Sequence, residues 1–180
     1  HENIKAQVST LCSAWAWRSQ DHILCVLPLH HIHGIINVVS CALWSGAVCE
    51  FLPKFSEKDA FEQFRKGRIN VFMAVPTIYY KLIAYWETLP AEEQVELTQR
   101  MKQFRLMVSG SAALPVRTMA RWQEISGHTL LERYGMTEIG MAISNPYNGK
   151  RRPGYVGLPL PGVQVRLVDE QYNDALPGEP

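Results

Sequence analysis

The sequence lacks the features that would assign it to several specialised classes of protein. Its 180 residues include 18 Lys or Arg and 17 Asp or Glu, so no charge excess indicates nucleic acid or an anionic membrane as a partner. Its four cysteines have no C-x-x-C spacing, which predicts buried free thiols in a reducing compartment. The longest apolar run, residues 34–44, is too short to span a membrane and predicts a buried core helix. We find no internal repeat.

Both ends of the sequence resemble cuts rather than natural termini. The chain begins at His1 without a methionine or a targeting segment, and it stops within the turn-like stretch DALPGEP. We therefore expect the sequence to be a piece of a longer chain.

Apolar segments alternate between strand-like and helix-like patterns. HILCVLP, GAVCEFLP and INVFMAVP are short buried runs typical of strands, and segments with helical periodicity separate them. The stretch AEEQVELTQRMKQ predicts a polar, exposed helix. Because 47% of the residues are hydrophobic, the chain can build one ordinary domain with a sizeable core. The repeated strand–helix–strand units predict an α/β fold, a parallel sheet with helices on its faces.

Three motifs follow predicted strands, namely LPLHHIHG, SGSAALP and ERYGMTE. Loops at the carboxyl ends of parallel strands form the ligand-binding edge of such sheets. We therefore expect the three motifs to meet at one edge, although they are far apart in the sequence.

The motif YGMTE has the residue types that a nucleotide and its metal ion require. Tyr134 can stack on a base, and Gly135 permits close backbone approach. Thr137 can bond a phosphate oxygen, and the Glu138 carboxylate suits magnesium. Alternatively, the segment is an ordinary turn with Thr137 capping a helix. Small residues around Gly110 would similarly let backbone groups line a flat ring, although glycine is common at strand ends.

The remaining polar motifs are less specific. His30, His31 and His33 do not match a structural zinc pattern, so we expect His31 to line a cavity and another histidine to be a satisfied structural group. GKRRPG is either a phosphate patch or a solvated basic turn. SGSAAL lacks the second glycine of a serine-nucleophile elbow. Arg133 is either a surface residue paired with Glu132 or a residue facing a charged substrate.

Together these motifs carry a resemblance to a known family. ERYGMTE, with SGSAAL upstream and RRPGYVGLPLPGV downstream, resembles the adenylate-forming acyl-CoA synthetases over essentially all 180 residues. LPLHHIHG is similar to the family's acyl-pocket segment. The run from ERYGMTE to GLPLPGV resembles the malonyl-CoA synthetase branch, and the preceding segment resembles its vertebrate mitochondrial form.

The resemblance implies a place for the chain within a larger enzyme. Residues 1–180 would be part of the large N-terminal AMP-binding (adenylation) domain. The phosphate loop would lie before His1, and the ribose-binding aspartate and small C-terminal domain with its lysine would follow Pro180. We accordingly expect this piece to be inactive alone. A mitochondrial matrix location is implied by resemblance only.

The resemblance also implies residue roles. The nucleotide would be bound by residues of two motifs, namely Gly110, Ser111, Ala112, Tyr134, Gly135, Met136 and Thr137. Thr137 would contact the α-phosphate and Glu138 would hold Mg²⁺; with His31 they form the expected catalytic set. Arg133, His31, Ile32 and Met136 would contact the acid. Ala113 replaces the family's usual proline without removing a contacting group.

Arg133 is the residue that indicates the substrate. The family usually has a small residue at this position, and a guanidinium there would pair with a second carboxylate and make a fatty tail costly to bury. The implied acid is malonate, with methylmalonate as a further candidate, and the co-substrates are ATP and coenzyme A. The alternatives are a ligase for another short, medium-chain or aromatic acid, a non-catalytic nucleotide-binding domain, or an α/β domain of another role.

Overall fold

The computed structural model describes residues 1–175, so most of the expected turn in DALPGEP lies outside the described part. The strands are His22–Cys25 (β1), Val48–Phe51 (β2), Val71–Ala74 (β3), Leu106–Ser109 (β4), Leu131–Met136 (β5), Gly140–Ser144 (β6) and Leu158–Pro159 (β7). The α-helices are Glu2–Ala14 (α1), Cys41–Ser45 (α2), Glu57–Arg65 (α3), Pro76–Glu87 (α4), Ala91–Met101 (α5) and Val116–Ser126 (α6). A π-helix, His33–Ser40, precedes α2.

The strands form one sheet in the order β2-β1-β3-β4-β5-β6-β7. The first five strands are parallel, whereas β6 and β7 pair antiparallel. The predicted α/β class is therefore confirmed, with an antiparallel extension that the alternating pattern did not predict.

Helices cover both faces of the sheet, and the strand sequences explain why. In β3, Phe72 and Ala74 pack into one core cluster, and Val71 and Met73 pack into the other. Side chains of a strand alternate between faces, so a strand covered on both sides is apolar throughout. α3, α4, α5 and α6 cover the first face, and α1, the π-helix and α2 cover the second.

Two helix expectations are only partly correct. The apolar run at residues 34–44 is helical, but Leu43 and Trp44 are 72% and 56% exposed, so the helix is not buried all round. α5 is polar on its outer side, yet Leu97 and Met101 are fully buried against the core. A few apolar residues at helical spacing are sufficient to dock an otherwise charged helix.

The remaining expectations concern cysteines and membranes. All four cysteines are free thiols; Cys25 and Cys41 are buried, and Cys12 and Cys49 are partly exposed. Across residues 1–175, none of the helices combines the length and the apolar character that a membrane span needs.

Candidate active site

The three motifs meet at the carboxyl-terminal edge of the parallel strands, around two adjoining cavities. We call the larger one, about 530 Å³, the histidine cavity because His31 and His33 line it. The smaller one, about 360 Å³, is the tyrosine cavity, lined by Tyr134. Ser111, Arg133 and Gly135 line both cavities, so the β5 segment separates them. The prediction that three distant motifs converge is confirmed.

The YGMTE motif does not form the loop that the sequence predicts. β5 continues through Met136 and turns back through Thr137, Glu138 and Ile139 into β6, so Thr137 does not cap a helix. A register shift between Tyr134 and Gly135 marks a bulge in this hairpin. Bulges bend a strand locally and redirect its side chains, and they are frequent next to active sites.

Arg133 is buried rather than on the surface. Only 2% of it is exposed, and it makes no salt bridge with Glu132, whose neighbouring position on the strand faces the opposite side. Its Nη2 donates to Ser111 Oγ at 3.3 Å, while its Nε has no hydrogen-bond partner among the described residues. Burial lowers the pKa of Arg133 to about 10, so it remains positively charged at neutral pH. The alternative of a surface arginine paired with Glu132 is wrong.

His33 and Ser111 complete the surroundings of the guanidinium. Ser111 Oγ lies 3.2 Å from Nδ1 of His33, which is 3% exposed. Burial, with the charge of Arg133 as a second cause, lowers the pKa of His33 well below its usual value. Ser111 has a positive φ of 70°, a conformation that costs a non-glycine residue on the order of 1–3 kcal/mol. The structure maintains this strain where Ser111 bridges the two buried groups.

Glu132 positions the loop that follows β4. Its Oε1 accepts a hydrogen bond from the Leu114 backbone N–H at 3.0 Å. Burial raises the pKa of Glu132, and the Leu114 hydrogen bond opposes that effect. A side chain that sequence analysis considered only as a partner for Arg133 therefore links the SGSAAL loop to β5.

The tyrosine cavity has the character of a slot for a flat group. Ala112 and Ala113 line it on one side, and Gly154 and Val156 line it on another. Tyr134 is 43% exposed, so much of its side chain remains uncovered by protein. Small residues and an available aromatic face suit a planar heterocycle.

Thr137 and Glu138 lie on the turn at the rim of the histidine cavity, and Met136 precedes them. Both are exposed, and neither side chain has a hydrogen-bond or salt-bridge partner within residues 1–175. The hairpin backbone therefore sets their positions, and their oxygens remain available to a ligand.

The histidine motif is divided between the surface and the core. His31 is exposed and lines the histidine cavity with Ile32, as expected, and its ring lies 4.3 Å from that of His30. His33 also lines the cavity and is buried, but its Nε2 has no partner in the described chain, so it is not the satisfied structural group that we expected.

Two glycines are required because other groups occupy the space of a side chain. A Cβ at Gly110 would lie 2.5 Å from Arg133 Cζ and Nε, so this glycine makes room for the guanidinium and lines neither cavity. A Cβ at Gly135 would lie 2.2 Å from the Gly140 carbonyl oxygen. The close approach at Gly135 is therefore to strand β6.

The basic turn GKRRPG contains a structural arginine. Arg151 donates to the backbone carbonyl oxygens of Pro146, Thr129 and Tyr147, and the Arg152 guanidinium lies 4.7 Å from the Tyr155 ring centroid. Lys150 is exposed, and none of the three basic side chains of this turn lines either cavity; Gly154 at its end lines the tyrosine cavity.

Comparison with known proteins agrees with this geometry. The family model described as AMP-binding enzyme matches residues 1–180. The chain is 55% identical over 177 residues to the mitochondrial malonate–CoA ligase ACSF3 of Xenopus laevis, and 44% identical over 185 residues to a malonate–CoA ligase of Arabidopsis thaliana. These matches cover 94% and 97% of this chain.

The fold is also shared with solved structures. ATP-bound MatB from Rhodopseudomonas palustris superposes with a TM-score of 0.89 at 36% identity, covering 99% of this chain and 34% of that one. A malonyl-CoA ligase ternary complex with methylmalonyl-CoA and AMP gives a TM-score of 0.85 at 35% identity, covering 99% of this chain and 37% of that one.

These matches define the class of protein. The chain belongs to the AMP-binding enzyme family, and the resemblance to malonyl-CoA synthetases is confirmed. It spans about 30% of the length of the curated relatives it matches.

Proposed function

We propose that the full-length protein is an ATP-dependent ligase that joins malonate to coenzyme A through an acyl-adenylate. Residues 1–180 would form part of its N-terminal adenylation domain, supplying the adenine and acid-binding walls. The observation that carries this proposal is a buried, positively charged Arg133 whose Nε has no hydrogen-bond partner within the described chain.

An uncompensated buried charge is costly, so a ligand carboxylate at this position would offset that cost. Ser111 Oγ accepts from Arg133, so its own hydrogen is free to point at His33 Nδ1. His33 then carries its proton on Nε2, which like Arg133 Nε is buried and has no partner among residues 1–175. Arg133 and His33 would therefore both donate to one carboxylate.

The same group explains why a monocarboxylate with a long tail is disfavoured. Arg133 lies in the wall of the histidine cavity, where a fatty chain would have to desolvate the guanidinium without pairing it. A short dicarboxylate supplies an anion at that point and leaves its other carboxylate for reaction. Malonate meets both requirements, and methylmalonate adds one methyl group.

The adenylation step requires no catalytic base from this chain. A carboxylate with an ordinary pKa near 4 is already ionised at neutral pH, so it would attack the α-phosphorus of ATP without losing a proton, and pyrophosphate would leave. The protein must position two anions and stabilise the charge that develops between them. Thr137 would donate its hydroxyl to the α-phosphate from the turn, and His31 would line the approach of the acid.

The tyrosine cavity would hold the adenine of ATP. Tyr134 would stack on the base, and Ser111, Ala112 and Gly135 would line the slot. Gly110 would contribute indirectly, by leaving space for Arg133 between the two ligands.

Glu138 fits a magnesium ion bound together with nucleotide phosphates. It is an exposed carboxylate at the rim of the histidine cavity, without a partner among residues 1–175. Mg²⁺ in nucleotide sites uses one or two carboxylates plus phosphate oxygens and water, so one carboxylate is sufficient. When bound, the ion would neutralise phosphate charge.

The rest of the full-length protein would supply the other walls of the site. The phosphate loop would precede His1, and the ribose-binding aspartate and the C-terminal domain with the adenylation lysine would follow Pro180. Relatives described as mitochondrial support a mitochondrial location, and we propose the matrix.

The test is a substrate comparison in the full-length protein. We expect Arg133→Gly to lower kcat/KM for malonate by a factor that corresponds to about 2–5 kcal/mol of transition-state stabilisation. Much of this loss would be the penalty of leaving the malonate carboxylate unpaired. ATP binding should change little, and propionate or butyrate should gain relative to malonate. Arg133→Lys should restore only part of the loss, because lysine keeps the charge without the planar fork.

The matched control is Arg117→Ala, which removes an exposed arginine on α6. We expect it to change kcat/KM for malonate by a factor that corresponds to less than about 0.5 kcal/mol. If Arg133→Gly lowers kcat/KM for malonate, propionate and butyrate by the same factor, Arg133 does not select the acid and the malonate proposal loses its main support.

A further inference from the structure

The side chain of Gln7 is hydrogen-bonded to the hairpin that carries Thr137 and Glu138, although 134 positions separate it from its partner Met141. Gln7 lies on α1 and is partly buried. Its Oε1 accepts from the Met141 backbone N–H at 2.5 Å, and its Nε2 donates to the Met141 carbonyl oxygen at 3.4 Å. One side-chain amide thus satisfies both backbone groups of a single residue.

The position of Met141 explains why this contact is needed. β6 pairs with β7 only at Ile143 and Ser144, so Met141 lies beyond the paired segment. On its other side, the register between β5 and β6 shifts at the bulge next to Gly135. The Gln7 amide takes the place of a neighbouring strand for the first part of β6.

Gly140 shows how closely the helix and the hairpin fit. It has a φ of 67°, and a Cβ built on it would lie 1.8 Å from Gln7 Oε1. The Gln7 oxygen therefore occupies the space next to Gly140, the residue that follows the turn and begins β6. Within the turn, the Ile139 backbone N–H donates to the Met136 carbonyl oxygen at 3.3 Å.

We propose that Gln7 is a positioning residue, which fixes the β5–β6 turn and thereby sets where Thr137 and Glu138 stand relative to Arg133. The inference rests on the proposed function for the roles of Thr137 and Glu138. The hydrogen bonds between Gln7 and Met141 do not depend on that function. Gln7 also lines a third cavity of about 390 Å³ on the α1 side of the same turn, shared with Thr137 and Glu138. The turn thus has open space on both sides, and Gln7 restrains it on one of them.

The expected kinetic result is a loss in kcat with little change in KM for the acid. Gln7→Leu keeps the approximate size of the side chain and removes both hydrogen bonds. A misplacement near 1 Å can cost about a hundredfold in rate, so we expect kcat for malonate-dependent pyrophosphate release to fall by about tenfold to a hundredfold. KM for malonate should change by less than about twofold, because Arg133, Ser111 and His33 remain in place. Gln7→Glu, which keeps the acceptor for Met141 N–H, should recover part of the loss.

The matched control is Gln94→Leu. The Gln94 amide also bonds backbone, donating to the Trp86 and Leu89 carbonyl oxygens at 3.1 Å each, but it lies on α5 away from the site. If Gln7 only stabilised the fold, both leucine variants would lower activity in proportion to the loss of folded protein. A fall in kcat confined to Gln7→Leu supports the proposal, and equal effects overturn it.

Hydrogen exchange distinguishes failure of this inference from failure of the proposed function. In full-length protein we expect Gln7→Leu to raise the exchange rate of the Met141 amide by about tenfold or more, whether or not malonate is the substrate. Gly140→Ala should have a similar effect, because its methyl group displaces the Gln7 oxygen. Unchanged exchange across residues 136–141 in both variants would contradict the contact. Changed exchange with unchanged kcat would overturn the positioning role.

Discussion

The two halves of β5 differ in their surroundings, although they belong to one strand of six residues. Leu131, Glu132 and Arg133 are buried, and pairing with β4 reaches only Leu131 and Glu132. Tyr134 and Met136 are exposed and pair only with β6. In the buried half, Glu132 and Arg133 each have one hydrogen bond within the protein and one polar atom without a partner. On the turn that follows the exposed half, Thr137 and Glu138 have no side-chain partner among residues 1–175.

Under the proposed function, this difference would place selectivity on the buried half of β5 and chemistry on the turn that follows the strand. Ser111 bonds the buried guanidinium of Arg133 in the space that Gly110 leaves, so this group would discriminate between acids. Thr137 and Glu138 would contact the phosphates and a metal ion from the turn, where Gln7 restrains the backbone and both side chains remain exposed. Preorganised and solvent-accessible groups thus lie only a few residues apart.

The largest effect should come from the exposed part. Glu138→Gln in the full-length protein removes the carboxylate proposed to hold magnesium, and we expect adenylation to slow by roughly a hundredfold or more. Malonate-dependent pyrophosphate release at saturating magnesium measures this, with circular dichroism as the fold control. Glu92→Gln, an exposed position on α5, is the matched control. Near wild-type turnover would remove Glu138 from the mechanism.

The buried part should respond to a single added methyl group. Gly110→Ala places a Cβ within 2.5 Å of the Arg133 guanidinium, and overpacking of this kind costs about 1–3 kcal/mol. We expect kcat/KM for malonate to fall by a factor that corresponds to about 1–3 kcal/mol, while KM for ATP changes little. In an Arg133→Gly background the same substitution should have little further effect, since the space is free. Additive losses would show that Gly110 acts independently of Arg133.

A smaller effect should appear in the dependence of stability on pH. Burial and the charge of Arg133 lower the pKa of His33, so the folded state keeps this residue neutral. An unfolded histidine has a pKa near 6.5; the stabilisation is therefore present above about pH 6.5 and is lost as the pH falls below it, by at most about 1.4 kcal/mol per pH unit. Urea unfolding at about pH 7.5 and pH 5.5 should show a larger loss in wild type than in His33→Gln. Equal losses would contradict a neutral His33.

The smallest effect should come from positive charge outside both cavities. Lys150→Ala removes an exposed charge from the basic turn, and we expect KM for ATP to change by less than about twofold. Arg151→Ala should instead lower stability by about 1–3 kcal/mol, because it leaves backbone acceptors unpaired. A large increase in KM for ATP with Lys150→Ala would restore the phosphate-patch hypothesis.

The sequence predicted the parallel part of the fold because its strands are short, apolar and separated by periodic helices. It did not predict that β5 continues through Tyr134, Gly135 and Met136 of YGMTE, because a glycine and a following threonine have the composition of a loop. The hairpin with β6 depends on pairing between strands, and on the Gln7 contact across 134 positions, which local pattern does not encode.

The sequence predicted which residues belong to the candidate site better than it predicted how they are arranged. The motifs identified Tyr134, Thr137 and Glu138 as available groups, and the structure places them around the two cavities. His33 was missed as a lining residue because three nearby histidines give no indication of which one is buried. The available signal was that His33 directly precedes a glycine. A Cβ at Gly34 would lie 2.4 Å from the Pro28 carbonyl oxygen, so the backbone at Gly34 packs closely against Pro28.

The most direct test of the central claim is a crystal structure of the full-length protein with malonate and a non-hydrolysable ATP analogue. We predict that one malonate carboxylate lies within about 3.2 Å of Arg133 Nε and His33 Nε2, two buried nitrogens of the histidine cavity that have no partner among residues 1–175. The other carboxylate should face the α-phosphate near Thr137. A malonate bound with both carboxylates more than about 4 Å from the Arg133 guanidinium would contradict the account.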